Sequence, residues 1–466
     1  MKKEAKSTVA ESELGIIDVV SRQKDFFSSG KSLEPSWRIE QLKKLYKALN
    51  DFEKQFFEAL AADLGKSEFE AYSSELFLIK REIQYQIRHV KRWSRPSFRL
   101  GEISAFFAKE KIFHEPYGVT LIMSPWNYPF LLTLLPLVNA LAAGNTAVLK
   151  TSEYSPASSK AIKELVSQTF EPEYVTVLEG GYMENQLLLQ QKFDFIFFTG
   201  SPAVGKIVME NAARNLTPVC LELGGKSPCI VDTSANLPLA ARKIVWGKLL
   251  NAGQTCVAPD YLLVQEDKKE ELLKLIKEEI AAQYGDSPLT NPELPKIINK
   301  KHFNRLLSLA PQAQIDPAAN KIAPTIVDLG SCGEENTTNH PLMKEEIFGP
   351  VLPVITFKEL GEALSFVKAR PIPLALYLFS KDKTAQKNVI HTVRFGGGCI
   401  NDVILHIATN RLPFGGMGNS GLGNYHGKFG FETFSHTKGL LIQTSWIDTG
   451  LRYAPYKKKL NLMKLL

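Results

Sequence analysis

The chain has 466 residues, of which 44% are hydrophobic and 23% are charged, and its formal net charge is +7. A single hydrophobic core stops growing at about 250–300 residues, so we expect two or more domains. The 56 basic residues are scattered rather than gathered into a stripe with interleaved aromatic side chains, which argues against nucleic-acid binding. The composition is typical of a soluble globular protein.

The cysteines exclude two common site types. Their number is odd, and the sequence contains no Cys-x-x-Cys pair and no histidine at ligand spacing. A zinc site and a disulfide framework are therefore not expected, and a reducing compartment is favoured. The N-terminus shows no apolar segment typical of a signal peptide. We predict a cytoplasmic protein without a metal site.

The first 115 residues show mostly helical spacing of apolar side chains, which ends at Pro96. The stretch Pro116–Leu149 then carries no formal charge. Prolines and asparagines interrupt it, so no run of about 20 apolar residues survives and no transmembrane segment is predicted. The pattern instead predicts a strand at Val119–Met123, a helix at Phe130–Ala143 and a strand at Thr146–Leu149.

Strands and helices continue to alternate from there to the C-terminal region. The remaining strands predicted in the first block are Val175–Leu178 and Phe193–Phe198. Those of a second block, which begins at Val219, are Tyr261–Val264, Ile322–Val327, Val351–Thr356, Leu374–Phe379 and Gly396–Asn401. An edge strand is predicted at Lys438–Thr444. This alternation predicts an α/β protein with two doubly wound parallel sheets, whose ligands bind at the carboxyl ends of strands.

The segment Thr199–Ile207 joins a strand to a helix through a glycine turn, and free N–H groups at a helix N-terminus favour an anion. A P-loop would need Ser or Thr after Lys206, where Ile207 stands, and a Rossmann fingerprint would need Gly in place of Pro202. A looser dinucleotide site and a plain turn both remain open.

Glu222 stands between Leu221 and Leu223, directly before a double glycine. An apolar setting would raise the pKa of this carboxyl into the range of a general base. The alternative is a simple ion pair with Lys226 at the end of a strand. The sequence around Glu222 leaves both interpretations open.

Two further loops carry candidate catalytic groups. Cys256 lies among small and turn-forming residues, which suits a displayed nucleophile as well as an inert loop cysteine. Asn127 is flanked by Pro125 and Pro129, so its amide is held stiffly, as in an oxyanion donor or in a simple turn. Neither loop decides the matter alone.

Six motifs in order resemble those of the NAD(P)-dependent aldehyde dehydrogenases. They are Pro125–Pro129, Lys150–Glu153, Phe198–Ser201, Leu221–Lys226, Gly253–Cys256 and Glu345–Pro350. The segments Asn424–Gly427 and Phe431–His436 resemble the class-three branch, and the resemblance runs from about residue 20 to about residue 445. It implies oxidation of an aldehyde to the acid. Apolar residues near the candidate loops suggest a medium- or long-chain aliphatic or an aromatic substrate.

The resemblance implies a role for each catalytic candidate. Cys256 would attack the aldehyde carbonyl and pass through a thiohemiacetal and a thioester. The amide of Asn127 and the backbone N–H of Cys256 would hold the oxyanion, and Glu222 would activate the hydrolytic water. The remaining cysteines would be inert, and His426 and His436 would be structural or line a substrate funnel.

The resemblance also implies a cofactor site. Lys150 and Glu153 would contact the adenosine ribose, and a carboxylate at Glu153 would repel a 2′-phosphate. NAD is therefore the favoured cofactor, with NADP still possible. The other implied cofactor-binding residues are Trp126, Thr199, Gly200, Ser201, Gly205, Leu223, Glu346 and Phe348.

The implied domain plan has three parts. Residues 1–95 and 116–218 form the dinucleotide-binding domain, 219–414 the catalytic domain, and 96–115 with 415–466 an oligomerisation arm and C-terminal tail. The resemblance implies a homodimer formed through an edge strand near Leu440. Two other hypotheses are a nucleotide-triphosphate-binding module built on Gly200–Lys206 and an inactive scaffold. The basic tail from Tyr456 could touch a membrane surface.

Overall fold

The structure, a computed structural model, describes residues 2–99, 108–448, 450–457 and 459–464. For residues 2–12 and 462 it describes the backbone alone. The helices are α1 (Lys2–Ser28), α2 (Pro35–Asp51), α3 (Glu53–Leu64), α4 (Glu68–Ala71), α5 (Phe77–Trp93), α6 (Pro129–Ala143), α7 (Pro156–Thr169), α8 (Tyr182–Gln190), α9 (Pro202–Ala213), α10 (Leu237–Leu249), α11 (Lys269–Tyr284), α12 (Lys300–Leu309), α13 (Glu335–Asn339), α14 (Pro341–Lys344), α15 (Leu360–Lys368), α16 (Lys383–Thr392), α17 (Gly427–Thr433) and α18 (Leu460–Met463).

The strands are β1 (Ser97–Arg99), β2 (Lys109–Pro116), β3 (Val119–Met123), β4 (Thr146–Lys150), β5 (Val175–Leu178), β6 (Phe195–Gly200), β7 (Val219–Leu223), β8 (Pro228–Val231), β9 (Tyr261–Gln265), β10 (Ile315–Asp316), β11 (Lys321–Ile322), β12 (Thr325–Ser331), β13 (Val351–Phe357), β14 (Ala375–Phe379), β15 (Gly397–Ile400), β16 (Gly421–Leu422) and β17 (Ser435–Ile442).

The first six-stranded sheet has the order β16-β7-β6-β3-β4-β5, in which all pairs are parallel except β16 with β7. Alternate residues of β3 face two cores. Ile122 packs with helices α5 to α7, whereas Leu121 packs with side chains of α1, α8 and α9. Both faces are covered, which explains why β3, β4 and α6 are buried throughout and mostly apolar. The strand order reverses between β3 and β6, so a crevice opens at their carboxyl ends.

The second six-stranded sheet is parallel throughout, in the order β12-β13-β9-β8-β14-β15. One face packs on α10 and α11, and the other packs on α15 and α16. The expected α/β class with two doubly wound parallel sheets is confirmed. A third, antiparallel sheet of order β1-β2-β17 forms the arm, and β17 is its edge strand.

Two predicted boundaries are wrong. The strand Val219–Leu223 was assigned to the second domain, but it pairs with β6 in the first sheet. Segment 415–434 was assigned to the arm and tail, but β16 pairs with β7 and α17 packs on α6. Alternation of elements along a chain does not tell which sheet a strand joins. The predicted strand Ile322–Val327 is also split into β11 and β12, because Pro324 cannot donate to a ladder.

Candidate active site

The loop that carries Cys256 is built from unusual backbone. Asn251, Ala252 and Gly253 are all left-handed, with φ of 52°, 52° and 76°. A Cβ at Gly253 would collide with the carbonyl group of Gly349, so only glycine fits there. Strain of this kind persists only where the surroundings fix it, and it is concentrated at functional sites. The turn brings the chain around so that the half-buried thiol of Cys256 is presented at its end.

The loop is anchored by side chains from distant elements. The backbone N–H of Asn251 donates to Oε1 of Glu70, at 2.8 Å, and Asn251 Nδ2 donates to the carbonyl of Asn127, also at 2.8 Å. The amide of Gln254 donates to the carbonyl of Lys296, at 3.0 Å. These bonds hold the nucleophile loop against the first sheet.

Two cavities meet at Cys256. One has a volume of about 550 Å³ and the other about 480 Å³. Among the described residues, those that line both are Leu132, Cys256, Phe414 and Tyr425. Two ligands, one in each cavity, can therefore reach the sulfur of Cys256 from opposite sides.

Asn127 lies in the loop after β3 and is buried. Its Nδ2 donates to the carbonyl of Gln254, at 3.1 Å, two residues before Cys256. An amide nitrogen carries two hydrogens, so a second donor remains for a ligand. Asn127 lines the larger cavity beside Cys256, as an oxyanion donor requires.

Glu222 stands near the carboxyl end of β7 and is only 3% exposed. Burial raises the pKa of its carboxyl well above the ordinary value. Within the described part of the chain, its Oε2 has no hydrogen-bond partner. The alternative ion pair with Lys226 is wrong, because Lys226 pairs with Asp260 and also donates to the carbonyl of Leu342, at 2.7 Å. A buried, unpaired carboxyl at a cavity wall has the character of a general base.

The environment of Cys256 holds its thiol in the protonated form. Burial and the nearby carboxyls of Glu346 and Glu222 raise its pKa, while the backbone N–H groups of Cys256 and Val257 lower it. The thiolate is the nucleophilic form of cysteine. A positive charge in the larger cavity would oppose these effects and favour the thiolate.

The larger cavity lies at the crevice where the first sheet reverses its strand order. The predicted site residues that line it, besides Cys256, Glu222 and Asn127, are Trp126, Thr199, Gly200, Ser201, Leu223, Glu346 and Phe348. The side chain of Ser201 caps α9 by accepting from the N–H of Val204, at 3.4 Å. Among the residues described, the buried hydroxyl of Thr199 has no partner. A capped helix N-terminus beside an unpaired hydroxyl fits a cofactor pyrophosphate.

Three of the predicted cofactor residues are not in the wall of this cavity. Lys150, at the end of β4, donates to the carbonyls of Thr151 and Gly180, at 2.6 and 2.7 Å. The Glu153 carboxylate lies directly against Gly181, where a Cβ would collide with it. Gly205 packs against Leu223, and a Cβ there would come within 2.6 Å of a leucine methyl group. Gly205 therefore allows close helix-to-strand packing.

Glu346 and Phe348 approach the same cavity from the second sheet. Burial raises the pKa of Glu346 to about 8, opposed by a hydrogen bond from the Gly225 N–H and by nearby cations. Phe348 has a φ of 54°, and its ring meets the Trp126 ring edge-on at 5.5 Å. Residues of both halves of the chain thus face each other across one crevice.

Comparison with known proteins decides the family. A model of the Aldehyde dehydrogenase family matches residues 9–440. The chain is 44% identical to the 4,4'-diaponeurosporen-aldehyde dehydrogenase of Staphylococcus aureus over 449 residues, which cover 95% of this chain and 96% of that protein. The chain belongs to the aldehyde dehydrogenase family.

Further relatives define the branch. Aldehyde dehydrogenase family 3 member B3 of Mus musculus is 43% identical, with 94% of this chain and 92% of that protein covered. A solved structure of Staphylococcus aureus AldH in a substrate-bound state has a TM-score of 0.93 at 42% identity and covers 97% of this chain and 99% of that one. An NAD-dependent aldehyde dehydrogenase of Sinorhizobium meliloti has a TM-score of 0.83 at 27% identity, covering 94% and 89%. The expected family, its class-three-like branch and the enzyme class of NAD(P)-dependent aldehyde dehydrogenases are confirmed.

The smaller cavity of this aldehyde dehydrogenase is mainly apolar. Its described wall includes Phe77, Leu131, Leu135, Trp246, Leu250, Ile404 and Ile407. Tyr128, Phe414 and His426 also line it, whereas Trp126 lies in the larger cavity. His436 instead lies exposed on β17. Lys206 and Ile207 are exposed on α9. The family match over residues 9–440 replaces the hypothesis of a nucleotide-triphosphate-binding module.

Sequence reasoning missed a buried group beneath the site. A π-helical turn, Tyr72–Leu76, interrupts the helical spacing predicted for the first 115 residues, and Glu75 in it is buried. Glu75 pairs with Lys66 at 2.7 Å and accepts the N–H groups of Phe130 and Leu131, both at 3.0 Å. Lys66 also donates to the carbonyl of Asn127, at 3.3 Å. A helix-compatible sequence pattern carries no signal for such a turn.

No helix in the described ranges is both long and apolar enough to cross a membrane. The same residues hold no group of three or more His, Cys, Asp or Glu side chains arranged as metal ligands.

Proposed function

We propose that this enzyme oxidises an aldehyde to the carboxylic acid through covalent catalysis by Cys256. One observation carries the proposal: the thiol lies where two cavities meet, with Asn127 and Glu222 in the wall of one of them. The larger cavity suits a dinucleotide and the smaller one an apolar aldehyde. Oxidation of an aldehyde by NAD(P)+ through a cysteine requires this arrangement, because the thiol and the cofactor must both reach the carbonyl carbon of the aldehyde.

The chain's own residues supply each step of the covalent route. The Cys256 thiolate adds to the carbonyl carbon, and the resulting oxyanion accepts hydrogen bonds from the Asn127 amide and the Cys256 N–H. Bound NAD(P)+ supplies the hydride acceptor that oxidises the thiohemiacetal to a thioester. Glu222 then takes a proton from water, which attacks the thioester and releases the acid and the free thiol.

Residues of both sheets would hold the cofactor. We assign the pyrophosphate to Gly200, Ser201 and the N-terminus of α9, with Thr199 and Leu223 beside it. Trp126, Glu346 and Phe348 would contact the nicotinamide half, and Lys150 and Glu153 the adenosine ribose. The exposed carboxylate of Glu153 favours NAD+ over NADP+, although NADP+ use stays possible.

The apolar wall of the smaller cavity supports a medium- or long-chain aliphatic or an aromatic aldehyde as substrate. A relative with 44% identity acts, by its name, on 4,4'-diaponeurosporen-aldehyde. The volume of about 480 Å³ is within the range of small-molecule sites.

We also propose a domain plan and an assembly. The first sheet, including β7, forms the dinucleotide-binding domain, and the second sheet forms the catalytic domain. The arm would pair with a second copy to form a homodimer, because β17 is an edge strand with Leu440 and Leu441 about half exposed, at 46% and 55%. Sedimentation of the full chain tests the dimer. The cytoplasmic location stays a prediction.

The decisive experiment replaces the nucleophile. Cys256→Ala should keep cofactor binding, measured by NADH fluorescence titration, and should lose all NADH production from aldehydes. Cys332→Ala and Cys399→Ala are matched controls, because those thiols are also half-buried but lie outside both cavities. Retained turnover in Cys256→Ala, or equal losses in the control variants, would refute the assignment.

A further inference from the structure

The two cavities differ in charge. The described lining of the larger cavity contains Lys226, Arg305, Lys344 and Arg370 together with acidic residues. In the described lining of the smaller cavity, the residues with formal charges are Glu70 and Glu293, with no lysine or arginine. His426 adds no positive charge at neutral pH, because burial lowers its pKa to about 3. The groups of this described lining that can carry a formal charge are therefore two carboxyl groups.

Glu70 is fixed in the wall of the smaller cavity by its own hydrogen bonds. Its Oε1 accepts the N–H of Asn251, and its backbone N–H donates to Ser67 Oγ, at 3.3 Å. The Ser74 hydroxyl donates to the Glu70 carbonyl, at 2.6 Å. The bond from Asn251 holds the carboxylate beside the loop that carries Cys256, and the other two bonds fix the backbone of Glu70.

Glu293 lies on the same side of the cavity but is exposed. Its backbone N–H donates to Asn291 Oδ1, at 2.8 Å, which fixes the turn that carries it. Both Glu70 and Glu293 interact electrostatically with Tyr284, another lining residue. One carboxylate is therefore buried and the other is exposed to solvent, along one wall.

Among the described residues that line the smaller cavity, no cation neutralises the wall. Lys66 lies near enough to Glu70 to lower its pKa, but the Lys66 ammonium is fully buried and paired with Glu75. Lys66 is absent from the described cavity lining. Its charge is already balanced by Glu75, so it offers a ligand in the cavity no ion-pair partner.

We propose that Glu70 and Glu293 are specificity-determining residues that exclude aldehydes carrying an anionic group and restrict the substrate to uncharged or cationic aldehydes. The inference rests on the proposed function, because it concerns the aldehyde bound in the smaller cavity. An anionic group about 8 Å from the buried Glu70 carboxylate, at an effective dielectric constant of about 20, is repelled strongly enough to weaken binding by about 10-fold or more. The exposed Glu293 contributes less, because solvent screens its charge. The same repulsion acts on the carboxylate product and favours its release.

A pair of near-isosteric substrates tests the inference. 4-Nitrobenzaldehyde is uncharged, and 4-formylbenzoate has nearly the same shape with a carboxylate in place of the nitro group. We expect the wild-type kcat/KM to be about 100-fold higher for the nitro compound. Glu70→Gln keeps an oxygen that can accept from Asn251, so the loop geometry is retained. Glu70→Gln and Glu293→Gln should each lower the ratio of kcat/KM for 4-nitrobenzaldehyde to kcat/KM for 4-formylbenzoate. The double variant should lower this ratio by about 10-fold or more.

The assay conditions follow from the charge state of Glu70. Burial raises its pKa to about 7, with Lys66 and the Asn251 N–H opposing and Glu75 and Glu293 adding to the increase. Assays at about pH 9 keep the carboxylate ionised. Glu164→Gln, which removes an exposed carboxylate of α7, is the matched control for overall charge and should leave the ratio unchanged.

The outcomes separate the two proposals. A wild-type enzyme that oxidises both aldehydes equally well overturns the selectivity alone, as does an unchanged ratio in the double variant. If neither these two aldehydes nor a medium-chain aliphatic aldehyde is oxidised, the proposed function fails and the selectivity fails with it. A lower ratio in the Gln variants, with the control unchanged, establishes the two carboxylates as the cause.

Discussion

The side-chain amide of Asn127 donates a hydrogen bond to the main-chain carbonyl of Gln254, at 3.1 Å, and so ties the loop after β3 to the loop that carries the reactive thiol. The main-chain carbonyl of Asn127 accepts from Lys66 and from Asn251 at the same time. One residue of the first sheet thereby fixes the position of a nucleophile that is 129 residues later in the chain, since 256 − 127 = 129.

Replacing Asn127 by Ala removes a donor but leaves the main-chain contacts to Lys66 and Asn251. We expect kcat/KM for aldehyde oxidation to fall by about 10²–10³-fold, as for the loss of one oxyanion donor elsewhere. Steady-state NADH production measures the loss. Cofactor affinity should stay unchanged, and a variant with near wild-type turnover would show that the amide has only a structural role.

Replacing Glu222 by Gln removes the proposed base. Hydrolysis of the thioester should slow by about 10²–10⁴-fold. The first turnover should still produce a burst of NADH, with acyl-enzyme detectable by mass spectrometry. An unchanged steady-state rate, or the absence of accumulated acyl-enzyme, would contradict the assignment.

Glu222→Gln should also change the pH dependence of stability. Because the folded pKa of Glu222 is raised, the native protein keeps a proton that the unfolded chain loses above its ordinary pKa of 4.5. Its contribution to stability is full below that value and is lost as the pH rises through the folded pKa. The variant should therefore melt about 1–2 °C above wild type near pH 8 and show little difference near pH 4. Scanning calorimetry across this range measures it.

The ion pair of Lys66 and Glu75 is buried, with both side chains at 0% exposure. Lys66→Met leaves the Glu75 carboxylate without its cation and should cost about 3–5 kcal/mol of unfolding free energy. Lys66→Met combined with Glu75→Gln should cost less than the two single changes together, because no lone charge remains. Denaturant unfolding of the wild type, the two single variants and the double variant gives the coupling free energy between Lys66 and Glu75. Simple additivity of the two changes would contradict a direct pair.

Coenzyme preference should depend on Glu153. Its carboxylate lies against Gly181, close to the end of β4, where the ribose of the cofactor is proposed to bind. Glu153→Gln should raise kcat/KM for NADP+ relative to NAD+ by about 3–10-fold, a modest effect because the residue is exposed and screened. Glu164→Gln, which removes an exposed carboxylate of α7, controls for lost surface charge. An unchanged ratio would place the ribose elsewhere.

The sequence predicted those parts of the site that depend on neighbouring residues. The turn around Gly200 and the loop around Asn127 follow directly from strand-to-helix patterns, and the strand order of a doubly wound sheet brings both to one crevice. The buried character of Glu222 followed from its flanking leucines. Local pattern was sufficient because each feature is formed by a few consecutive residues.

Features that depend on packing between distant segments were not predictable in this way. Glu70 and Glu75 lie in a stretch with ordinary helical spacing, and only the packed structure shows the π-helical turn and the buried partners Lys66 and Asn251. The membership of β7 in the first sheet is likewise decided by its pairing with β6 rather than by its own composition. Hydrophobic pattern indicates that a strand is buried, and it does not identify its neighbours.

The left-handed turn before Cys256 is closed by Glu70 on one side and by the backbone of Gly349 on the other. These contacts join segments that are far apart in the chain, and contacts of long sequence separation form late in folding. In a newly made chain, the turn that positions the Cys256 thiol therefore cannot form until the segment around Gly349 has been synthesised and has docked. On dilution from denaturant, helical content will return first and enzyme activity last.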